Sequence, residues 1–385
     1  MIYLDNAATS YPKPQCVYRE TSKALKKCGG NSGRGSHSLA AVSADAVYSL
    51  RETVAETFSC DPEEVVLTYN ATHALNLAIK GLAKDGGHIL YSDIEHNSVR
   101  RPVAALCRSG KCTSSVYSSC EGRTDEVLAS IKEEIRHDTS MIIVSHASNV
   151  ANIHLPIKEI AAMCRTLGIV CVVDASQSAG HLPLNFTDIG ADAVCMPGHK
   201  GLMGPQGTGL LIMKRDTLSE TVMEGGSGSD SMSDTMPLYL PERFEAGTIA
   251  APLAAGLERG IRWVQDVSTD VIFGNEVYLS RMLTEYLMNM NGIKVYLPHL
   301  SGEGGIVLFN MDGIPAVKVG EMLDCEGICV RCGLHCSPLA HGTIGTGDGG
   351  AVRVSFGFFN NFTNVRRLVD ALWSIRKEYK SCRLR

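Results

Sequence analysis

Lys200 stands where lysines are uncommon. It lies in the glycine-flanked turn Gly198-His-Lys200-Gly, between the apolar runs Ala193–Met196 and Leu210–Met213, which both read as buried strands. An amine held there is desolvated and becomes nucleophilic enough to form a Schiff base with an aldehyde cofactor. The turn by itself is equally compatible with a structural lysine. Other positions carry polar chemistry beyond what packing requires. Asp174 closes the apolar run Gly168–Val173, and a carboxylate at the end of a buried strand needs a cationic partner. Asn149 and Gln177 occupy comparable strand-end positions. His96 follows the strand His88–Ser92, where open α/β sheets bind ligands, although histidines in such loops are often polar fillers.

The elements that must position these groups follow from hydrophobic pattern. The runs Glu64–Thr68, His88–Ser92, Ser140–Ser145 and Gly168–Val173 are continuous rather than alternating and are separated by helical stretches. This predicts an α/β fold whose mainly parallel central sheet is covered by helices on both faces. Helices are expected over residues 15–27 and over 38–58, the latter introduced by a serine cap and carrying Leu39, Val42, Ala46, Leu50, Val54 and Phe58 at helical spacing. The junction Tyr69-Asn-Ala71-Thr72-His73 opens another helix, whose first backbone N–H groups are placed to hold a phosphate; alternatively Thr72 merely caps its own helix. The polar loop Gly29–His37 holds one cation, Arg34, and is either a ligand-gripping or a simply solvated segment. A largely helical stretch from Leu253 to about Met290 leads to strands at 305–309, 328–330 and 351–355 and helices at 316–324 and 364–378. The expected domains are an N-terminal segment (1–14) packing with the small domain, a large domain (15–264), and a smaller C-terminal α+β domain (265–385).

Composition narrows the class. The 385 residues are 44% apolar and 20% charged, as in a soluble globular enzyme able to bury a sizeable core. A net charge of −5 leaves no footprint for nucleic acid or an anionic membrane. No secretory signal and no bilayer-length apolar stretch is evident, so a cytoplasmic protein is expected. The 14 cysteines are scattered, and Cys171 and Cys195 lie inside apolar strands as small buried thiols. Cys329-Val-Arg-Cys332 is formally a C-x-x-C, but no second pair follows at zinc-site spacing, and no metal site is expected.

Taken together, Tyr3-Leu-Asp-Asn-Ala-Ala-Thr9, Asn70-Ala-Thr-His73, Glu95-His96, Ser148-Asn149, Asp174-Ala-Ser-Gln177, Gly198-His-Lys200, Arg243-Phe-Glu-Ala-Gly-Thr248 and Val330-Arg-Cys-Gly-Leu-His-Cys336 run nearly end to end in one order. The chain resembles a fold-type I, pyridoxal phosphate-dependent enzyme of the class V aminotransferase superfamily, and within it the cysteine desulfurases and selenocysteine lyases. Each motif is weak alone; their joint order is specific.

The resemblance implies roles residue by residue. Lys200 would hold pyridoxal 5'-phosphate as a Schiff base and shuttle the substrate's α proton. Asp174 would pair with the pyridine nitrogen, Asn149 and Gln177 would bond the phenolic oxygen, and His96 would stack on the ring and assist proton transfer. Ala71, Thr72 and His199 would receive the phosphate, with Gly247 and Thr248 reaching the phosphate of a neighbouring subunit in a homodimer. Cys336 would be the nucleophile that takes sulfur as a persulfide, an unused loop thiol being the plainer alternative. Arg353 would clamp the substrate carboxylate, since a guanidinium fork matches two oxygens; Arg331, Arg34 and His37 are second-rank candidates for substrate binding. The short spacing from Cys336 to Arg353 resembles the family's compact-loop second group, whose members often use a sulfur-accepting partner protein.

One departure stands out. The family usually places a serine phosphate ligand three residues before the lysine, and here Pro197 offers neither hydroxyl nor N–H; Ser176, Ser178 or a water would substitute, or the cofactor is held more loosely. Cys329 and Cys332 are readable as sulfur relays or as strand thiols. The expected activity is L-cysteine desulfuration to L-alanine, with L-selenocysteine lyase, another class V transaminase or lyase activity, and a non-catalytic sulfur-trafficking scaffold as alternatives.

Overall fold

The computed structural model describes residues 1–33, 35–217 and 219–383. Its strands in chain order are β1 (Ile2–Tyr3), β2 (Val65–Thr68), β3 (Gly87–Ser92), β4 (Cys112–Tyr117), β5 (Thr139–Ser145), β6 (Val170–Asp174), β7 (Ala193–Pro197), β8 (Gly209–Met213), β9 (Ile293–Tyr296), β10 (Ile306–Met311), β11 (Ile328–Cys329), β12 (Arg331–Gly333) and β13 (Ala351–Ser355). The chain divides into a larger unit, Lys13–Ala147 with Leu155–Thr269, and a smaller one, Met1–Pro12, Ser148–His154 and Asp270–Arg385.

Among the described residues, the larger unit holds a seven-stranded sheet of order β2-β8-β7-β6-β5-β3-β4. β4, β3, β5, β6 and β7 pair in parallel, and β8 runs antiparallel to both β7 and β2. Every residue of β5, β7 and β8 is buried, which is why these strands read as unbroken apolar runs. One core joins Ile89, Met141, Ile143, Val172, Cys195 and Leu211 of the sheet to Leu75 and Ile79 of the helix Ala71–Leu82 and to Val99 and Val103 of the helix Asn97–Arg108. The edge strand β4, Cys112-Thr-Ser-Ser-Val-Tyr117, is too polar to stand out by hydropathy.

Two helix starts differ from expectation. The helix Ser38–Phe58 is capped by His37, whose ring accepts the Ala40 N–H, not by a serine. Its buried face is Ala40, Val47, Leu50, Val54 and Phe58, while Leu39 and Val42 are exposed. At the helix Ala71–Leu82, Asn70 is the cap, accepting the His73 N–H at 2.9 Å. The Thr72 hydroxyl is therefore not spent on capping.

In the smaller unit, β9, β10, β13 and β12 form an antiparallel sheet of order β12-β13-β10-β9, and β1 pairs in parallel with β11. Its core gathers Leu4, Leu279, Leu283, Phe309, Val319, Val352, Val354, Leu368 and Leu372. The strand expected at 328–330 is Ile328–Cys329, paired with β1, and the loop expected from residue 331 opens instead with a further strand, Arg331–Gly333, paired with β13. The helical stretch after residue 250 is likewise two helices, Ala251–Val267 and Thr269–Met288, broken where Ser268 adopts φ 74°. Among the described residues, no helix is long and apolar enough to cross a membrane, and no cluster of His, Cys, Asp and Glu is placed to hold a metal ion.

Candidate active site

In the larger unit the polar candidates sit at the carboxyl ends of the sheet strands, the end at which such sheets bind ligands. Asp174 is the last residue of β6 and is buried. Its Oδ1 accepts the Ser176 N–H at 2.9 Å, and Gln177 lies in the same turn. Beside it Glu95 is fully buried and takes hydrogen bonds from the Ser92 hydroxyl (2.7 Å), the Ser145 N–H (2.7 Å) and the Ser145 hydroxyl (2.6 Å). Burial drives the Glu95 carboxyl up to about 7, against the pull of Ser145 and with added repulsion from Asp174.

Lys200 is carried on the long connection from β7 to β8. Gly198 N–H donates to the Thr208 carbonyl (2.9 Å), Gly204 N–H to that of Gly198 (2.8 Å) and Met203 N–H to that of Lys200 (2.9 Å). A Cβ at Gly201 would come within 2.2 Å of the Ala179 carbonyl, so the close approach of this turn to the β6 loop excludes a side chain there. His199 is held neutral, its ring pushed down to about 4 by burial and then by the charges of Lys200 and Lys13. The Lys13 ammonium donates to the His199 carbonyl, one peptide from Lys200.

The starts of two helices meet through hydroxyls. Thr72 Oγ1 lies 2.9 Å from Ser98 Oγ, which lies 2.7 Å from His96 Nδ1. His96 also caps its own helix by accepting the Ser98 N–H at 3.0 Å. Nδ1 is therefore the acceptor nitrogen, and Nε2 carries the hydrogen of the neutral ring. The Ala71 and Thr72 amides belong to a first helical turn, which has no intrahelical acceptors.

In the smaller unit Cys336 is exposed, in the loop between β12 and the helix Pro338–Ile344. It and His335 both adopt left-handed backbone (φ 58° and 50°), which for non-glycine residues costs about 1–2 kcal/mol each and persists only where neighbours dictate it. Asn149 supplies that constraint: its Nδ2 donates to the His335 carbonyl (2.8 Å) and its Oδ1 accepts from Ser337 Oγ (2.7 Å). Arg353, 2% exposed, donates from Nη1 to the Asn149 carbonyl (2.7 Å) and from Nη2 to Asp5 Oδ1 (2.7 Å). Arg331 is half-exposed, 3.5 Å from Asp5 Oδ2.

Thr248 is exposed, in the segment before the helix Ala251–Val267. It accepts from Asn31 Nδ2 at 3.3 Å and lines a cavity with Tyr69, His73 and Thr208. His37 is exposed and serves as a helix cap, and Arg34 lies outside the described residues. Burial pushes the Cys332 thiol to about 11 and the Cys329 thiol upward, and the Cys332 Sγ packs against Gly320; neither is poised as a thiolate. Asp5, Lys13, Ser98 and His341 escaped the sequence reading as individuals, because their signal is a contact with residues far along the chain or a single hydroxyl in a loop.

The aminotransferase class-V family model matches residues 2–368. The chain is 31% identical to a probable cysteine desulfurase of Methanothermobacter thermautotrophicus over 97% of its length and 94% of the relative's. It is 30% identical to a cysteine desulfurase of Haloferax volcanii, covering 98% and 90%. The solved apo structure of a cysteine desulfurase from Thermococcus onnurineus NA1 superposes with a TM-score of 0.89 at 30% identity, covering 98% of this chain and 95% of that one. The chain belongs to the class-V aminotransferase family. Within that family it stands with the cysteine desulfurases, and its fold is that of fold-type I enzymes.

Proposed function

We propose that this protein is a pyridoxal 5'-phosphate-dependent cysteine desulfurase that converts L-cysteine to L-alanine and leaves a persulfide on Cys336. The observation that carries the reading is Cys336 itself, exposed on a loop held in left-handed backbone by Asn149, with Arg353 bound to the same asparagine.

The donor set of the larger unit fits the cofactor. Asp174 is a buried carboxylate beside the buried Glu95 carboxyl group, a setting that favours an incoming cation such as a protonated pyridine nitrogen. Ser178 Oγ is buried without a protein partner in the turn after Gln177, an orphaned group that a ligand or water would satisfy. Ala71, Thr72 and His199 would hold the phosphate, Gln177 the phenolic oxygen, and the His96 ring the cofactor face. When bound, the cofactor supplies the electron sink that lets a proton leave the substrate's Cα.

Lys200 anchors the cofactor and accepts that proton at Nζ. Arg353 orients the substrate through its carboxylate. The Cys336 thiolate attacks the cysteine sulfur; an S–S bond forms as the Cβ–S bond breaks, and the carbon fragment regains protons to become alanine. A sulfur-accepting partner or a thiol then clears the persulfide. The exposed Gly247–Thr248 loop would complete the site of a second copy in a homodimer, and the enzyme would work in the cytoplasm.

Cys336→Ser tests this. The variant should bind cofactor and give its visible band yet lose alanine formation and the 32-Da persulfide adduct seen by mass spectrometry of the wild type after cysteine. Unchanged cysteine turnover in Cys336→Ser would remove the nucleophile assignment.

A further inference from the structure

Asp5 takes no part in the chemistry above, yet it meets two guanidinium groups at once. Its Oδ1 accepts from Arg353 Nη2 at 2.7 Å, and its Oδ2 lies 3.5 Å from Arg331 Nη1. Strand register places those arginines directly opposite each other on β12 and β13, where like charges repel. Asp5 lies against both and offsets that repulsion.

The backbone that delivers Asp5 is firmly tied. Ser355 N–H donates to the Leu4 carbonyl (2.8 Å), Asn6 N–H to that of Ser355 (3.3 Å), and Ala7 N–H to Ser355 Oγ (2.9 Å). The Tyr3 hydroxyl donates to the Asp5 carbonyl at 3.0 Å. The N-terminal segment thus lies beside the end of β13, two residues from Arg353. With Nη2 held by Asp5 and Nη1 by the Asn149 carbonyl, the guanidinium plane has no freedom to turn. Its Nε–H is buried without a protein partner, and each Nη keeps a second N–H.

We propose that Asp5 is a positioning residue for recognition of the amino-acid substrate: it fixes the plane of Arg353 so that the remaining N–H groups face an α-carboxylate, and it neutralises one of the two facing arginines. Two guanidinium groups and one carboxylate leave a single net positive charge, the complement of a monocarboxylate. The inference rests on the reading of Arg353 as the carboxylate clamp.

The test compares steady-state kinetics of the cofactor-loaded wild type, Asp5→Asn and Arg353→Lys on L-cysteine and on L-cysteinamide, which lacks the carboxylate. In Asp5→Asn the KM for L-cysteine should rise about tenfold or more with kcat changed by less than about threefold, while kcat/KM for the amide changes by less than about threefold. Equal losses on both substrates, or a fall in kcat at constant KM, would overturn the role and leave Asp5 a structural residue. If Asp5→Asn does not fold, Asp5→Glu, which keeps the charge but displaces the guanidinium, should show the same split; its absence there also overturns the role. Arg353→Lys separates the two claims. If it leaves the preference for cysteine over the amide intact, the clamp reading fails; if it abolishes the preference while the Asp5 variants do not, only the role of Asp5 fails.

Discussion

Nδ1 of His335 lies 2.8 Å from Nε2 of His341, and the two rings stack with centroids 5.0 Å apart. The far nitrogen of His335 faces the Arg331 carbonyl at 3.2 Å, and that of His341 faces Thr346 Oγ1 at 2.7 Å. A carbonyl only accepts, so His335 carries its hydrogen on Nε2, takes the His341 Nε2–H on Nδ1, and leaves His341 Nδ1 to accept from the threonine. Every hydrogen in the chain is assigned with both rings neutral. Burial, then the charge of Arg353, holds His335 down at about 3 and His341 at about 4. The native state therefore binds fewer protons than the unfolded chain below the ordinary histidine value of 6.5. Stability from this pair is complete above about 6.5 and is lost as pH falls toward 4 and 3. His341→Phe should cost about 1–3 kcal/mol at pH 7, because His335 Nδ1 loses its donor. It should also lose less stability than wild type between pH 7 and pH 5 in urea unfolding; a steeper loss would contradict the neutral pair.

Glu95 has the opposite pH dependence. Its folded value is raised to about 7 by burial, so the native state keeps a proton that the unfolded chain releases near the ordinary 4.5. Its contribution is present below 4.5 and lost as pH rises through 7. Glu95→Gln remains neutral and can still accept the Ser145 N–H. At pH 8 it should match or exceed wild-type stability, by up to about 3 kcal/mol, and at pH 5 the gap should close. A Gln variant less stable at pH 8 than at pH 5, relative to wild type, would show that the carboxylate is needed ionised.

What the sequence revealed and what it hid divide along physical lines. Asp174 stood out because it ends a buried apolar run, and Lys200 and His96 because they lie just past one, and the runs were continuous because the sheet is covered on both faces. β4 was not, since Thr113, Ser114 and Ser115 lie on a partly covered edge strand. The cap of the helix Ser38–Phe58 was misread because a histidine ring can do the work of a serine hydroxyl. The Asp5–Arg353 pair joins residues 348 positions apart, a separation that no local pattern announces.

Pro197 closes β7 opposite Gly209 and offers neither a hydroxyl nor an N–H to the proposed phosphate site. If Ser178 Oγ supplies the missing contact, Ser178→Ala should release cofactor several-fold faster, and Pro197→Ser should slow release in both backgrounds. Fluorescence of freed cofactor on dilution measures both rates. Equal release from wild type and Ser178→Ala would remove Ser178 from the phosphate cup.

Arg51 and Glu245 form a buried ion pair at 2.6 Å, and Glu245 Oε1 also accepts the Leu67 N–H at 2.6 Å. Arg51 further donates to the Val65 carbonyl. The pair thus ties the helix Ser38–Phe58 and β2 to the segment leading into Thr248. Arg51→Met strands a buried carboxylate and should cost about 3–5 kcal/mol, whereas Arg51→Met with Glu245→Leu should recover part of the loss but not the Leu67 hydrogen bond. Chemical denaturation of the four combinations gives the coupling energy, and additive losses would show that the two charges act independently.

Lys13 sets stability against function. Burial holds its ammonium down at about 8, and it points at the carbonyl of the peptide that carries Lys200. Below pH 8 native and unfolded chains are both protonated and folding must desolvate the charge; between 8 and the ordinary 10.5 the unfolded chain binds the extra proton, so stability rises with pH across that window. Lys13→Met removes the buried charge. It should be as stable as wild type or more so at pH 7, with the difference shrinking toward pH 10, while turnover falls because the peptide between His199 and Lys200 loses its anchor. The His199 ring should then titrate higher, since one of the two cations acting on it is gone, with burial still its main constraint. Thermal unfolding at both pH values and the His199 proton resonance across pH provide the readings. A Met variant that is less stable at pH 7 would mean that the hydrogen bond to the His199 carbonyl outweighs the cost of desolvating the ammonium.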